Sequence, residues 1–516
     1  MNRKNLFINI FANVISFIVD IGISIFLTRF IVQTLGKEAY GFIGLSSNIV
    51  SYITIITLAL NAMASRFISI KLFEDDHIGA QVYFSSVFIS NIILSAILVM
   101  PMAFVALFVE KILNVPFSLL SDVRMLWVLV CVEFIVSMCT NIFSIAIFIK
   151  NKLYLNSLRS IATQIIKSVL LLICFIFFPA HVWYIALANI VATFFITLFN
   201  VRCSRRFLPS LSIQRKNFRF KAVKELLASG MWTSLNKFNT VLLEGMDLLL
   251  ANLFISESAM GLLAITKTVP GYFHRLFYMF APTFEPKMFM LYAEKKKAEL
   301  IEYINRCNKL LIFFISIPIA GFIVFCDTFF HLWLPSENTV ILRQLSILSL
   351  VGVYSTTYSG VLYSVFIMTN KLKLVSLAVL ITSILSITIV FISLKTTNYG
   401  IYAIAGVSSL LLMVNNFSFM TIYAARCLNA KWHTFYGNIL QGTVSLFVIL
   451  VMAIIIKNIW KIQTWGVFML EAALTAIFGF FINCFILLNA NERRDMCLTI
   501  AKKIKSVLIY KIVKGM

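Results

Sequence analysis

Long apolar runs separated by short polar breaks cover this 516-residue chain from end to end. A helix needs about 20 mainly apolar residues to cross a hydrocarbon core about 30 Å thick. Stretches of that kind lie at 6–32, 39–64, 80–109, 122–148, 158–178, 182–201, 225–255, 257–290, 300–326, 340–368, 374–394, 400–424, 434–456 and 464–488. The pattern predicts an all-α, polytopic membrane protein of about fourteen transmembrane helices, here spans 1 to 14. Span 1 carries Asn9, Asn13 and Asp20 and lacks a small-residue cleavage site, which argues against a removed signal peptide.

A second pattern is superimposed on the first. NKLYLNSL at Asn151–Leu158 returns as NKLKLVSL at Asn370–Leu377, six of eight residues identical. With the same period, near 220 residues, Gly41 falls opposite Gly261, and Glu74-Asp75-Asp76 falls opposite Glu294-Lys295-Lys296. Six spans separate the two NKL loops, so both copies share one orientation. The expectation is two six-helix lobes related by a pseudo-two-fold axis along the membrane normal, a repeat arrangement found among transporters. The lobes would be 1–201 (spans 1–6) and 225–425 (spans 7–12), joined by a basic cytoplasmic linker at 202–224. Spans 13 and 14 (426–488) fall outside the repeat, and a basic tail follows at 489–516.

Polar positions inside the spans recur at helical spacing. In span 1, Asn9, Asn13, Ser16, Asp20 and Ser24 are spaced 4, 3, 4 and 4, which sets them along one face. Span 7 offers Ser229, Thr233, Asn236, Thr240 and Glu244, with an overlapping stripe of Lys237, Thr240, Glu244 and Asp247. Span 8 places Lys267, Gly271, His274 and Tyr278 on one face beside Arg275; span 2 has Ser47, Ser51, Thr54, Leu58 and Asn61 there instead. A charged side chain at mid-bilayer costs about 2.5–3.5 kcal/mol on insertion scales, so such residues are functional candidates by default. Lys237, Lys267, Arg275, His274, Asn13, Asn236, Thr240 and Arg29 are the candidate substrate-binding set, and Asp20, Glu244 and Asp247 the candidate ion-coupling acids. Structural roles compete with these. Lys237 with Glu244, or Lys267 with Asp247, would serve as helix-joining ion pairs, and Arg29 would snorkel to the interface. Glu133 in span 4 belongs to no evident stripe and reads as a lone paired acid.

Composition narrows the class. The chain is 60% hydrophobic, 13% charged, with mean hydropathy +0.94, which excludes an ordinary soluble domain. Its +23 charge concentrates in 202–224, 287–309 and 493–514. That is the positive-inside asymmetry, which places both termini in the cytoplasm, and nucleic acid is not the expected partner. Nine scattered cysteines and five dispersed histidines offer neither a disulfide framework nor a metal site, and no phosphate-binding GxxxxGK[ST] loop occurs. No cofactor is expected, and the short outer loops leave no room for a catalytic domain.

LTRFIVQTLGKEAYGFIGL at 27–45, NAMASRFIS at 61–69 and NKLYLNSL at 151–158 resemble the polysaccharide transporter group, the Wzx-like O-antigen and capsule flippases of the MOP superfamily. The resemblance runs over nearly the whole chain. It implies two six-helix lobes around a cavity lined by spans 1, 2, 7 and 8, and a substrate of undecaprenyl-diphosphate-linked oligosaccharide moved across the cytoplasmic membrane. It also implies cavity cations that meet the diphosphate, for which Lys237, Lys267, Arg275 and Arg29 are available. Membrane lipids and the proteins of polysaccharide polymerisation and assembly are the implied partners. The drug-exporting branch resembles this fold too, but often sets a proline beside the acid of span 1; here Asp20 has none, which ranks a cation-coupled drug or metabolite exporter second.

Overall fold

The computed structural model describes residues 3–494 except 151, 153, 281, 282 and 491, with side chains described from Asn13 onward except at 56, 233, 244 and 278. Among the described residues the chain is helical throughout, with no strand. In order, the helices are α1 (Arg3–Leu35), α2 (Lys37–Phe73), α3 (His77–Leu107), α4 (Val109–Ile112), α5 (Leu120–Thr140), α6 (Ile145–Ile149), α7 (Tyr154–Phe177), α8 (Tyr184–Phe207), α9 (Phe220–Thr240) and α10 (Asp247–Phe254). There follow α11 (Glu257–Thr266), α12 (Thr268–Phe280), α13 (Glu285–Ala293), α14 (Lys297–Trp333), α15 (Thr339–Met368), α16 (Leu372–Thr396), α17 (Ile401–Asn415), α18 (Thr421–Cys427), α19 (Tyr436–Lys457) and α20 (Trp465–Ile486).

Eleven of these segments are long and apolar enough to cross a membrane, or twelve with α2 taken as one bent span. The two expected spans not in that count are 7 and 8, the ones richest in charge. Span 7 is α9 and α10 joined by a π-turn over Val241–Gly245, and span 8 is divided into α11, α12 and α13. Polar residues and helix breaks in the same segments lower their apolar continuity.

The chain packs as two units. One contains residues 1–268 and 372–408, the other 269–371 and 409–516. In the first unit, glycine governs how closely α2 meets its neighbours. A Cβ at Gly261 would lie 2.4 Å from the Lys37 carbonyl oxygen, and one at Gly41 would lie 3.0 Å from the Gly261 Cα. The two glycines that the repeat had paired in sequence therefore pack against each other. At Gly230 of α9, a Cβ would lie 2.3 Å from the Ala59 carbonyl oxygen. Small residues at helix crossings let backbones approach, which is the main attraction available in lipid.

Helix α2 bends by 62° between Lys37–Ile55 and Thr57–Phe73. The cause is local. Thr54 and Thr57 each donate to a carbonyl three residues back, at 3.0 Å, and Ser234 of α9 donates to the Ile55 carbonyl at 2.9 Å. Hydroxyls that compete for helix carbonyls open the ladder on that side and bend it.

The repeated motif has a structural counterpart. Ser157 of NKLYLNSL donates to Asn13 Oδ1 at 2.5 Å, and Ser376 of NKLKLVSL donates to Asn236 Oδ1 at 2.7 Å. Each serine thus ties its helix to the first helix of its own half. The two turns 220 residues apart also share a backbone pattern: Asp76 N–H reaches the Lys71 carbonyl at 2.9 Å, and Lys296 N–H the Leu291 carbonyl at 3.1 Å. Asp75 and Lys295 sit at φ 56° and 58°, and Asn370 at 54°, the left-handed turn that Asn and Asp tolerate best. Asn151 lies outside the described residues.

In the second unit, α14, α19 and α20 pack as a three-helix bundle. Phe313, Tyr358 and Leu487 are buried at one level, and Phe325, Ala453 and Ile456 at another.

Gly261→Ala and Gly230→Ala are each expected to destabilise the purified protein by about 1–3 kcal/mol, the usual cost of overpacking. Gly271→Ala, whose Cβ would meet nothing within 4 Å, is expected to be neutral or slightly stabilising. Thermal unfolding in detergent reads both.

Candidate functional site

The hydroxyl and amide stripe of α2 opens onto a cavity of about 300 Å³ inside the first unit. Ser47, Thr54, Thr57, Leu58 and Asn61 form one wall. Opposite stand Glu133, Ser137, Met138 and Asn141 from α5 and the 3-10 turn that follows it, with Asn189 of α8 beside them. Apolar residues, among them Val50, Leu126, Val130, Phe134 and Ile185, complete the lining.

The polar groups are held firmly. Asn61 and the fully buried Asn91 of α3 exchange amide hydrogen bonds at 3.2 and 3.0 Å, while Asn61 also donates to the Thr57 carbonyl at 3.0 Å. Glu133 accepts hydrogen bonds from Asn189 and Thr193 and lies within electrostatic reach of Lys167 of α7. Glu133 was expected as a lone paired acid outside any stripe. Instead, Glu133, Ser137 and Asn141 line one wall at intervals of four residues, a stripe legible in the sequence that was not recognised there.

A second recess of about 260 Å³ abuts the first and shares Asn61 and Asn141 with it. Ser65, Ser144, Asn156 and Arg159 complete its polar lining. Arg159 of α7 donates to Asn200 Oδ1 at 2.5 Å, which fixes the guanidinium. This residue was also missed, although its signal was simple. It is a cation within an apolar span, two positions beyond Ser157, where the second copy of the motif has Ala378.

The candidates named from sequence occupy several places. In the first unit, the Lys267 ammonium donates to Asp247, whose side chain is only 6% exposed. The π-turn just before Asp247 frees the Gly245 carbonyl, which Asn48 and Tyr52 of α2 take at 3.0 and 2.5 Å. Next to Lys267, the Tyr40 hydroxyl lies 3.2 Å from both Thr28 and Thr268. Spans 1, 2, 7 and 8 thus meet in one polar knot around the break between α11 and α12. Asp20 accepts from Gln164 of α7, so with Asn13 it lies along the seam to that helix. Asn236 accepts from Ser376. Lys237 is exposed on the last turn of α9, Thr240 donates to the Asn236 carbonyl at 3.0 Å, and Arg29 is half-buried near the end of α1. The side chains of Glu244, Asn9 and Tyr278 are not among those described. His274, half-buried, and Arg275, exposed, stand on α12 in the second unit. Among the described residues no cluster of His, Cys, Asp and Glu is arranged to hold a metal ion.

Residues 3–281 match the family described as polysaccharide biosynthesis protein. A relative from Bacillus subtilis (strain 168), described as uncharacterized membrane protein EpsK, is 27% identical over 501 residues, 97% of this chain and 99% of its own length. Among solved structures, the lipid II flippase MurJ in an inward closed conformation is similar with a TM-score of 0.67 and 15% identity, covering 94% of this chain and 99% of that one. An inward-facing multidrug resistance MATE family transporter of the MOP superfamily is similar at 0.64 and 15%, covering 80% and 94%. The likeness to these structures is one of fold.

If the cavity is hydrated, Thr54→Cys and Ser137→Cys, made in a background without the nine native cysteines, are expected to react with a small charged thiol reagent. Ser383→Cys, at a fully buried position, is expected to remain unmodified in the folded protein. Mass spectrometry of the labelled protein checks this.

Proposed function

Because this chain belongs to the polysaccharide biosynthesis protein family and has the fold of the MOP superfamily, we propose that it is a flippase for undecaprenyl-diphosphate-linked oligosaccharide, the repeat unit of an O-antigen, capsule or exopolysaccharide. The observation that carries the reading is the paired cavity of the first unit, a wall of hydroxyls and amides that abuts a recess containing Arg159. Sugar hydroxyls and a diphosphate are costly to strip of water unless each finds a hydrogen-bonding partner. Asn61, Thr54, Ser137, Asn141 and Asn189 supply partners of the neutral kind, and a fixed guanidinium is the donor best matched to phosphate oxygens. The volumes are at or below the lower end of the roughly 300–1,000 Å³ typical of ligand pockets, so a sugar or a phosphate is engaged at a time, not the whole head group.

In this reading Lys237, Lys267, Arg275, His274 and Arg29 are further contacts for the anionic head, and Asn13, Asn236 and Thr240 hydrogen-bond sugars. Asp20, Glu244 and Asp247 are the acids that couple transport to an ion. The lipid tail stays in hydrocarbon while the head moves through alternately opened cavities of a six-plus-six helix assembly with two further helices. The protein lies in the bacterial inner membrane with both termini in the cytoplasm, and polymerisation enzymes take the product outside.

The test is transfer of a labelled lipid-linked oligosaccharide across reconstituted vesicles. Charge-assisted hydrogen bonds contribute about 1.5–3 kcal/mol each, so Arg159→Ala is expected to weaken substrate capture about 10- to 100-fold. Arg159→Lys keeps the charge but not the planar fork and recovers part of the loss. Lys267→Ala and Arg275→Ala lower transfer at equal protein abundance. Full transfer by Arg159→Ala would discard this site, and altered drug susceptibility without any oligosaccharide transfer would favour the exporter reading.

A further inference from the structure

One face of α20 carries Glu471, Thr475, Gly479 and Asn483 at intervals of four residues, and all four are buried in the bundle with α14 and α19. The far end of this stripe shows what a structural polar residue needs in such a place. Asn483 donates to the Phe313 carbonyl at 2.7 Å and to Ser316 at 3.0 Å, and accepts from Ser445. Gly479 fits against Ile317 and Ile449. Every group there is matched.

The other end is different. Glu471 is 0% exposed, and among the described residues neither of its carboxyl oxygens has a hydrogen-bond partner; the Thr475 hydroxyl, one turn on, is likewise buried without one. Lys457 of α19 acts on Glu471 electrostatically, but its ammonium is already engaged by Asp327 at 2.7 Å and the Val324 carbonyl at 2.9 Å. The other titratable groups nearby are Cys326, fully buried beside Asp327, and Arg343 of α15, which also acts on Asp327. Two carboxyls thus share the Lys457 charge. An ionised carboxylate in a dry interior, without hydrogen bonds, is far too costly to persist. A proton or a bound cation on the Glu471 oxygens would remove that cost.

We propose that Glu471 and Thr475 form a binding site for a small monovalent cation, a proton or an alkali-metal ion, within the helix bundle that contains the last two helices. The carboxyl and the hydroxyl lie one turn apart on the same buried helix face, a donor set that takes up a proton on the carboxyl directly and an alkali-metal ion with added water or carbonyl ligands. A Cβ on Gly321 of α14 would meet only the Thr475 methyl, at 3.9 Å, so α14 leaves room opposite that residue. Occupancy changes the charge of the bundle by one unit. This inference rests on the second unit alone and is independent of the transport reading.

The test is modification of the intact purified protein by dicyclohexylcarbodiimide, an apolar reagent that adds to protonated carboxyl groups, mapped by mass spectrometry. For a proton site, labelling of Glu471 falls as pH rises, and sodium chloride has no effect beyond choline chloride. For an alkali-metal site, sodium protects Glu471 at fixed pH and choline does not. Either result supports the site and identifies its occupant. No labelling at any pH would mean that the carboxyl never exchanges with the outside, and would overturn the proposal. Thermal unfolding provides a second measurement. Wild type is expected to lose stability as pH rises or to gain it with sodium, and Glu471→Gln to lose that dependence. Parallel curves for the two proteins would also overturn it.

Discussion

Hydrocarbon offers no hydrogen bonds, and that single fact organises this molecule. Backbone groups are satisfied by an all-helical chain, the expected solution for a polytopic protein in lipid. Side-chain groups are harder, because each polar residue must find a partner on a neighbouring helix or face a wet recess. The described residues show both outcomes. Ser157 with Asn13, Ser376 with Asn236, and Asn61 with Asn91 are paired across helices. Ser47, Thr54, Ser137 and Asn141 line a cavity.

The same constraint explains why helix breaks and charge coincide. A π-turn or a divided helix leaves carbonyls without their usual donors, and in lipid these need protein partners. Gly245, at the end of the π-turn, is served by Asn48 and Tyr52. Lys267 caps the end of α11 and reaches Asp247 at the start of α10. Two charges that would each be costly alone are placed together where the chain is already interrupted. Irregular backbone of this sort is tolerated inside a membrane only where protein or water surrounds it.

Close approach is the second condition. Gly41, Gly230 and Gly261 bring α2 against α9 and α11 with no room for a methyl group. The bend in α2 follows from the hydroxyls of Thr54 and Thr57 and from Ser234, so the stripe that makes the cavity polar also shapes its wall. Packing and cavity lining therefore use the same residues, and a mutation there acts on both.

Much of this was legible in the chain itself. Apolar run lengths gave the class, because the bilayer sets a length that composition either meets or does not. The NKL repeat pointed to Ser157 and Ser376, and the small-residue pairing to Gly41 and Gly261, because residues that recur at one period occupy like positions on helices that need like contacts. The α2 stripe was visible as a period of three to four. Tertiary structure decided what faced that stripe. Glu133, Ser137 and Asn141 had the spacing but no stated counterpart, and Arg159 drew no reading at all until its bond to Asn200 and the recess placed it. It also decided that Lys267 pairs with Asp247, and that Glu471 is buried without a partner while Asn483, on the same face, has three. Periodicity assigns a residue to a face of its own helix. Whether that face meets lipid, a hydrogen-bonding neighbour or water depends on helices distant in sequence.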